Sequence, residues 1–155
     1  MSVVESKLVE LGYTLPSPPE PIGNYRAAAR SGKVMWMSGV GSRRADGLTI
    51  SGKLGADLTV EQGYEAARWC ALNLLARMKV ELGDLDRVTG ILKVVGMVNS
   101  SPDFEEQAKV VDGASDLFVE LFGEAGRHGR SAPGMAVLPK NTAVIVDCVI
   151  EIAEG

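Results

Sequence analysis

The chain has 155 residues, 46% of them apolar and 23% charged, and its 16 Lys and Arg against 20 Asp and Glu leave a net charge of −4. That length and composition suit one globular domain over residues 1–155, too hydrophobic for disorder. The acidic balance opposes nucleic-acid binding, which draws on Lys and Arg displacing counterions; two Cys and one His make no zinc site of known spacing, and no apolar run of about 18 residues offers a membrane span.

Ser2 with Glu5 is a capping-box pattern, and Val4, Leu8 and Leu11 then recur at helical spacing until Gly12, so the chain opens on a short helix. Leu15-Pro16-Ser17-Pro18-Pro19-Glu20-Pro21 cannot continue it, because each Pro lacks a donor and restricts its predecessor; residues 1–22 read as a helix and Pro-rich loop extension. Tyr25 to Arg30 and Val34 to Ser38 are short strand candidates joined across Ser31-Gly32-Lys33 as a hairpin. Residues 39–55 are Gly-rich and poor in large apolar side chains and read as a long loop, with Arg43 and Arg44 beside Asp46 in a solvated part of it.

Thr59 and Gln62 form a second capping-box pattern, and Tyr64, Ala67, Ala71, Leu74, Leu75, Met78 and Leu82 trace one helical stripe ending at Gly83. Val88 to Val98 is too rich in β-branched residues for a surface helix and suits a buried strand. Ser101-Pro102-Asp103 predicts the start of a third helix running through Val110, Ala114, Leu117 and Leu121 to Gly123. Two more strands follow, at about 134–137 and 144–152, separated by Leu138-Pro139-Lys140-Asn141. Cys70 and Cys148 both lie in apolar runs, as reduced buried thiols do, which fits a cytoplasmic protein without a disulfide.

This order predicts an α+β domain in which one mixed sheet carries its two longer helices on a single face and leaves the other uncovered. In the last strand Val144, Val146, Cys148, Ile150 and Ile152 share one parity and Ile145, Asp147, Val149 and Glu151 the other. The first side is apolar and the second mixed, so the mixed face is where subunits and ligands meet.

Ile22-Gly23-Asn24-Tyr25, Met37-Ser38-Gly39, and Arg130-Ser131 followed after a fixed gap by Leu138-Pro139 and the closing strand resemble the RidA/YjgF family of reactive-intermediate deaminases, also labelled L-PSP endoribonucleases. Gly113-Ala114-Ser115-Asp116 and Gly126-Arg127-His128-Gly129-Arg130-Ser131 resemble a longer subgroup of it. The resemblance implies a chorismate-mutase-like α+β fold and a homotrimeric barrel with ligand clefts between subunits. It implies, too, hydrolysis of 2-iminopropanoate, 2-iminobutanoate or their enamine tautomers to a 2-keto acid and ammonia. No cofactor or metal is implied, and the partner is a small carboxylate metabolite rather than nucleic acid or a membrane.

Carried onto this chain, the family's carboxylate-binding arginine is Arg130, whose planar fork of donors stays charged at any working pH. Tyr25 and Ser38 match positions lining the cleft, and Phe118 matches an aromatic position with a packing role. The departures reduce the polar inventory: Ile145 stands where deaminating relatives carry a glutamate, Ala132 where some carry a cysteine, and Asp112 where asparagine is usual. An alkyl side chain positions no water and moves no proton. Asp147, about 6.5 Å further along the strand and on the same face, is the candidate surrogate carboxylate. His128 is read as a loop histidine without a catalytic role, although such a residue can titrate near neutrality. The competing reading is a non-catalytic protein that binds a keto acid or amino-acid derivative in the same cleft; a ribonuclease ranks last, given the acidic charge and lone histidine.

Overall fold

A computed structural model describes residues 1–155. The first helix, α1 (Val3–Glu10), is capped by Ser2, whose hydroxyl accepts from the Glu5 amide. The expected reciprocal bond is replaced: the Glu5 carboxylate pairs with Lys79 at 2.6 Å, and the amides of Val3 and Val4 donate to the Asp86 carboxylate at 2.8 and 3.0 Å. The helix start is thereby sewn to the body of the protein, with Val4 and Leu8 buried.

Strands β1 (Ala28–Ser31) and β2 (Val34–Gly41) form the hairpin. Helix α2 (Val60–Leu82) carries both halves of the Thr59–Gln62 capping box and stops at Gly83, whose φ of 78° is the left-handed value glycine tolerates. Strand β3 (Val88–Asn99), helix α3 (Gln107–Phe122), the short strands β4 (Gly129–Ser131) and β5 (Gly134–Met135), and the closing strand β6 (Val144–Ile152) complete the chain. The sheet order is β1-β2-β6-β3-β4, with β5 also on β3; the central strands run antiparallel, whereas β4 and β5 lie parallel to β3.

Both long helices cover one face. Val144, Val146, Cys148 and Ile150 are buried beneath them, as are Val94 and Val98 of β3. On the opposite face Ile145, Asp147 and Val149 are only partly covered, Glu151 is exposed, and Trp36 is 47% exposed. The alternation along β6 therefore divides the sheet as the sequence predicts. Burial raises both cysteine thiols well above their ordinary range, and both are unpaired.

Four local readings are corrected. Tyr25 to Ala27 lies outside the first strand, because the Tyr25 amide turns back onto the Gly23 carbonyl at 3.0 Å. Residues 39–55 are more ordered than a loop: β2 continues to Gly41, and backbone bridges join Arg43 to Thr49 and Ser51 to Thr142. Helix α3 starts at Gln107, not at Ser101-Pro102-Asp103, since the Phe104 amide bonds to the Ser101 carbonyl at 3.1 Å and closes a turn there. The expected strand at 134–137 is only Gly134–Met135, while the unexpected β4 precedes it.

The two long helices meet at Gly113. A Cβ at that position would stand 2.0 Å from the Tyr64 carbonyl oxygen, so only a hydrogen fits between the backbones. Gly113→Ala is expected to destabilise the fold by about 2–3 kcal/mol through overpacking that backbone atoms cannot relieve, read as a lowered urea midpoint.

Candidate functional site

Arg130 is the middle residue of β4, where it stands in register with Val94 of β3. Neighbours in register share a face, and Val94 is fully buried under the helices, so the arginine is directed to the helix side of the sheet edge. There α3 presents Asp112 and Ser115, spaced i to i+3 and thus adjacent on the helix surface. Arg130 Nη1 donates to Asp112 Oδ1 at 2.7 Å and to Ser115 Oγ at 3.2 Å. Both bonds leave from one nitrogen, so Nη2 and Nε keep no partner within the chain.

His128 completes the group. Its Nδ1 lies 2.7 Å from the Gly126 carbonyl oxygen, which can only accept, so the ring carries its proton on Nδ1. Nε2 is then the acceptor for the Ser115 hydroxyl at 2.9 Å. The edge of the aromatic pair with Phe118, at 6.1 Å between centroids and 88° between planes, holds the ring from the core side. Burial foremost, with Arg130 adding a smaller repulsion, lowers the His128 pKa from its ordinary value and keeps the imidazole neutral at neutral pH. An open hollow of about 260 Å³ is lined by Asp112, Ser115, Val119, Arg127, His128 and Arg130.

The other expected site residues lie elsewhere in the chain. Tyr25 and Ser38 line a separate hollow with Glu20, Pro21 and Arg77. Ser38 Oγ donates to the Arg26 carbonyl at 2.6 Å, and Tyr25 is 53% exposed. Because β6 and β3 separate β2 from β4, the strand that carries Ser38 and the strand that carries Arg130 are about 14 Å apart across the sheet, three strand spacings. One chain alone does not bring them together. Ile145 and Asp147 are on the uncovered face, in register with Met97 and Val95, and Ala132 follows β4 packed against the core. Burial alone raises the Asp147 carboxyl pKa, and within one chain this residue is on the opposite face from the Arg130 side chain.

A larger hollow, about 390 Å³, lies at the end of β3 beside Lys53, Ser100 and Gln107. Its ammonium is already engaged by Asn99 Oδ1 and the Ala136 carbonyl, and Gln107 by Phe104 and Ser100, so its polar groups serve the turns around them.

The model of the family described as "YjgF/chorismate_mutase-like, putative endoribonuclease" matches residues 5–152. The chain belongs to this family. It is 46% identical to protein TCP17 of Trypanosoma cruzi over 158 residues, 98% of this chain and 99% of that one. Among solved structures, Atu1372 of Agrobacterium tumefaciens is 40% identical with a TM-score of 0.91, covering 97% of this chain and 93% of its own. A "putative endoribonuclease" of Shewanella oneidensis is 38% identical with a TM-score of 0.92, covering 96% and 99%. The YjgF-like chorismate-mutase fold is thus shared over nearly the whole length, and no helix in it is long and apolar enough to cross a membrane.

Sequence reasoning singled out the segments 113–116 and 126–131 of this YjgF-like chain but not the pairing of Ser115 with His128. The i, i+3 spacing of Asp112 and Ser115 was the one signal that both would face a common partner.

A folded-state pKa lowered from 6.5 means that the unfolded chain binds a proton first. Stability is therefore expected to be full above pH 6.5 and to fall as the pH drops from there toward the lower folded value. His128→Asn should remove that part of the pH dependence in urea unfolding, and the histidine ring signals in NMR should titrate below 6.5 in the native protein.

Proposed function

We propose that this YjgF-family protein hydrolyses small 2-imino acids and their enamine tautomers to 2-keto acids and ammonia, with Arg130 holding the substrate carboxylate. The observation that carries the reading is the guanidinium itself: it is anchored through Nη1 at the rim of an open hollow, with two donor nitrogens left over. Those two, Nη2 and Nε, match the spacing of a carboxylate's oxygens. The hollow is small, which suits a metabolite of few atoms.

Imines of this kind hydrolyse unaided in water, so fixing the carboxylate next to an ordered water accelerates the reaction without a strong base at Ile145. In this reading a homotrimer forms over the uncovered sheet face, where Trp36 and Val149 lie exposed or half-covered beside Lys93. Tyr25 and Ser38 of one subunit then wall the cleft that Arg130 of another enters, and Asp147 sits at the seam. Ile145, in the place of a family glutamate, favours the second reading, a keto-acid or amino-acid-derivative binding protein using the same cleft. The net charge of −4 counts against RNA as the substrate.

The test generates 2-iminopropanoate with an amino-acid oxidase and traps the remaining imine with semicarbazide. Wild type is expected to deplete the imine faster than buffer, and Arg130→Ala to lower kcat/KM about ten- to a hundredfold, the range of one or two charge-assisted hydrogen bonds. A rate equal to buffer, together with keto-acid binding that Arg130→Ala abolishes, would establish the binding protein instead. Light scattering is expected to give three times the 16.4 kDa chain mass.

A further inference from the structure

We propose that Glu20, on the Pro-rich segment, reads the nitrogen of the bound metabolite, so that the cleft takes protonated 2-imino acids and 2-amino acids in preference to 2-keto acids; the inference rests on the reading of Arg130 as the holder of the carboxylate. Glu20 stands between Pro19 and Pro21. A proline fixes its own φ and restricts the residue before it, so the backbone on both sides of this carboxylate is pinned. Arg77 of α2, its side chain only 7% exposed, ties the segment down: Nη2 donates to the Pro19 carbonyl at 2.6 Å and lies 3.1 Å from Glu20 Oε1. Nη1 of the same guanidinium lies 3.6 Å from Glu81 Oε1. One cation thus faces two carboxylates, which leaves one negative charge unbalanced, and the Glu20 side chain is 77% exposed.

The hollow beside it offers a ligand mostly acceptors. Glu20 lines it together with Tyr25, Ser38 and Gly39 and is the only carboxylate there. Ser38 commits its one hydroxyl hydrogen to the Arg26 carbonyl at 2.6 Å, so toward a ligand its oxygen can only accept. The side-chain donors in the lining are the Tyr25 hydroxyl and the Arg77 guanidinium, and the latter already faces Pro19, Glu20 and Glu81. The neighbouring floor is alkyl, since Ile145 Cγ2 lies 3.0 Å from where a Cβ of Gly39 would stand. An iminium or ammonium nitrogen brings N–H donors and a positive charge to this lining. A keto oxygen brings neither, and sets a further acceptor against Glu20 and Ser38.

Size and turnover agree with the same role. The hollow measures about 50 Å³, against about 30 Å³ for one water molecule, so it receives one small group rather than a whole metabolite. The other end, the carboxylate, goes to Arg130 of a second copy, whose Nη2 and Nε have no partner within their own chain. Hydrolysis exchanges the nitrogen for oxygen and so removes the cation that Glu20 attracts. The substrate is then held at both ends and the keto-acid product at one, which speeds release after each turnover. The Pro19 carbonyl already fastens the segment to Arg77, so the Glu20 side chain is not needed for that task.

The test uses the full chain and two stable probes, alanine and pyruvate, which share a carboxylate and a methyl group and differ at C2 in carrying an ammonium or a keto oxygen. Calorimetric titration of wild type is expected to give alanine a Kd about tenfold below that of pyruvate, the low end for a hydrogen bond to a charged group. Glu20→Gln should bring the two within about twofold by weakening alanine alone, and Glu20→Asp, which keeps the charge, should retain most of the preference. Arg130→Ala should weaken both probes alike and leave their ratio. With 2-iminopropanoate, Glu20→Gln should lower kcat/KM about tenfold while inhibition by pyruvate stays unchanged. Glu20 is 77% exposed, so these variants fold, and an unchanged urea midpoint verifies it. If wild type binds the two probes equally through Arg130, or if Glu20→Gln keeps the tenfold ratio, the inference is overturned and the Arg130 reading stands. A Glu20→Gln chain that weakens both probes alike overturns it too, because Glu20 then serves only to place the segment. If neither probe binds and the imine is not depleted, both readings are withdrawn together.

Discussion

The rest of the molecule depends on how closely α2 and α3 approach each other. Gly113 lies against the Tyr64 carbonyl with no room for a side chain, and Gly63 lies likewise close to Leu54 and Val110. Contact of that kind fixes the rotation of α3 about its own axis as well as its position. Gly113 sits between Asp112 and Ser115, so the same contact that closes the core sets the direction in which those two polar residues leave the helix. A rotation that relieved Gly113 would carry both away from Arg130.

Strand β4 meets them from the other side. It is only Gly129–Ser131, and its parallel pairing to β3 puts Arg130 in register with a fully buried valine, so a charged side chain emerges on the helix side of the sheet edge. Asp112 relieves that charge without claiming it. The two side chains are 24% and 47% exposed, and ion pairs so open to water are worth about 0–1 kcal/mol. A metabolite carboxylate that reaches the two unpartnered nitrogens does not have to displace Asp112, and even competition with it would be slight. Asp112 thus holds one edge of the guanidinium and leaves the other open.

The two faces of the sheet divide the work. The helix side holds the arginine, the serine and the histidine; the uncovered side carries Trp36 of β2 and Val149, Asp147 and Ile145 of β6. The distance of about 14 Å between β2 and β4 explains why Tyr25 and Ser38 have no part in the Arg130 hollow of a single chain. Any cleft that unites them needs a second copy.

The sequence by itself determined the helices and the strands that face a core. Capping pairs, helical periodicity and strict alternation are local patterns, each satisfied by burying one face, and β6 and α2 follow them closely. By its resemblance to the family it also offers Arg130, Tyr25 and Ser38 as candidate cleft residues, with Asp112 a departure from the family's asparagine. It misplaced the start of α3 and overlooked β4, since Ser101 to Phe104 can close a turn as readily as cap a helix, and three residues of strand carry too few side chains to show a period. Only the tertiary structure decided which site residues adjoin. The partnership of Ser115 with His128, thirteen residues apart, and of Asp112 with Arg130, eighteen apart, depends on how α3 is turned against the sheet edge. That is settled by packing at Gly113 and by strand register, neither of which leaves a local mark in the chain.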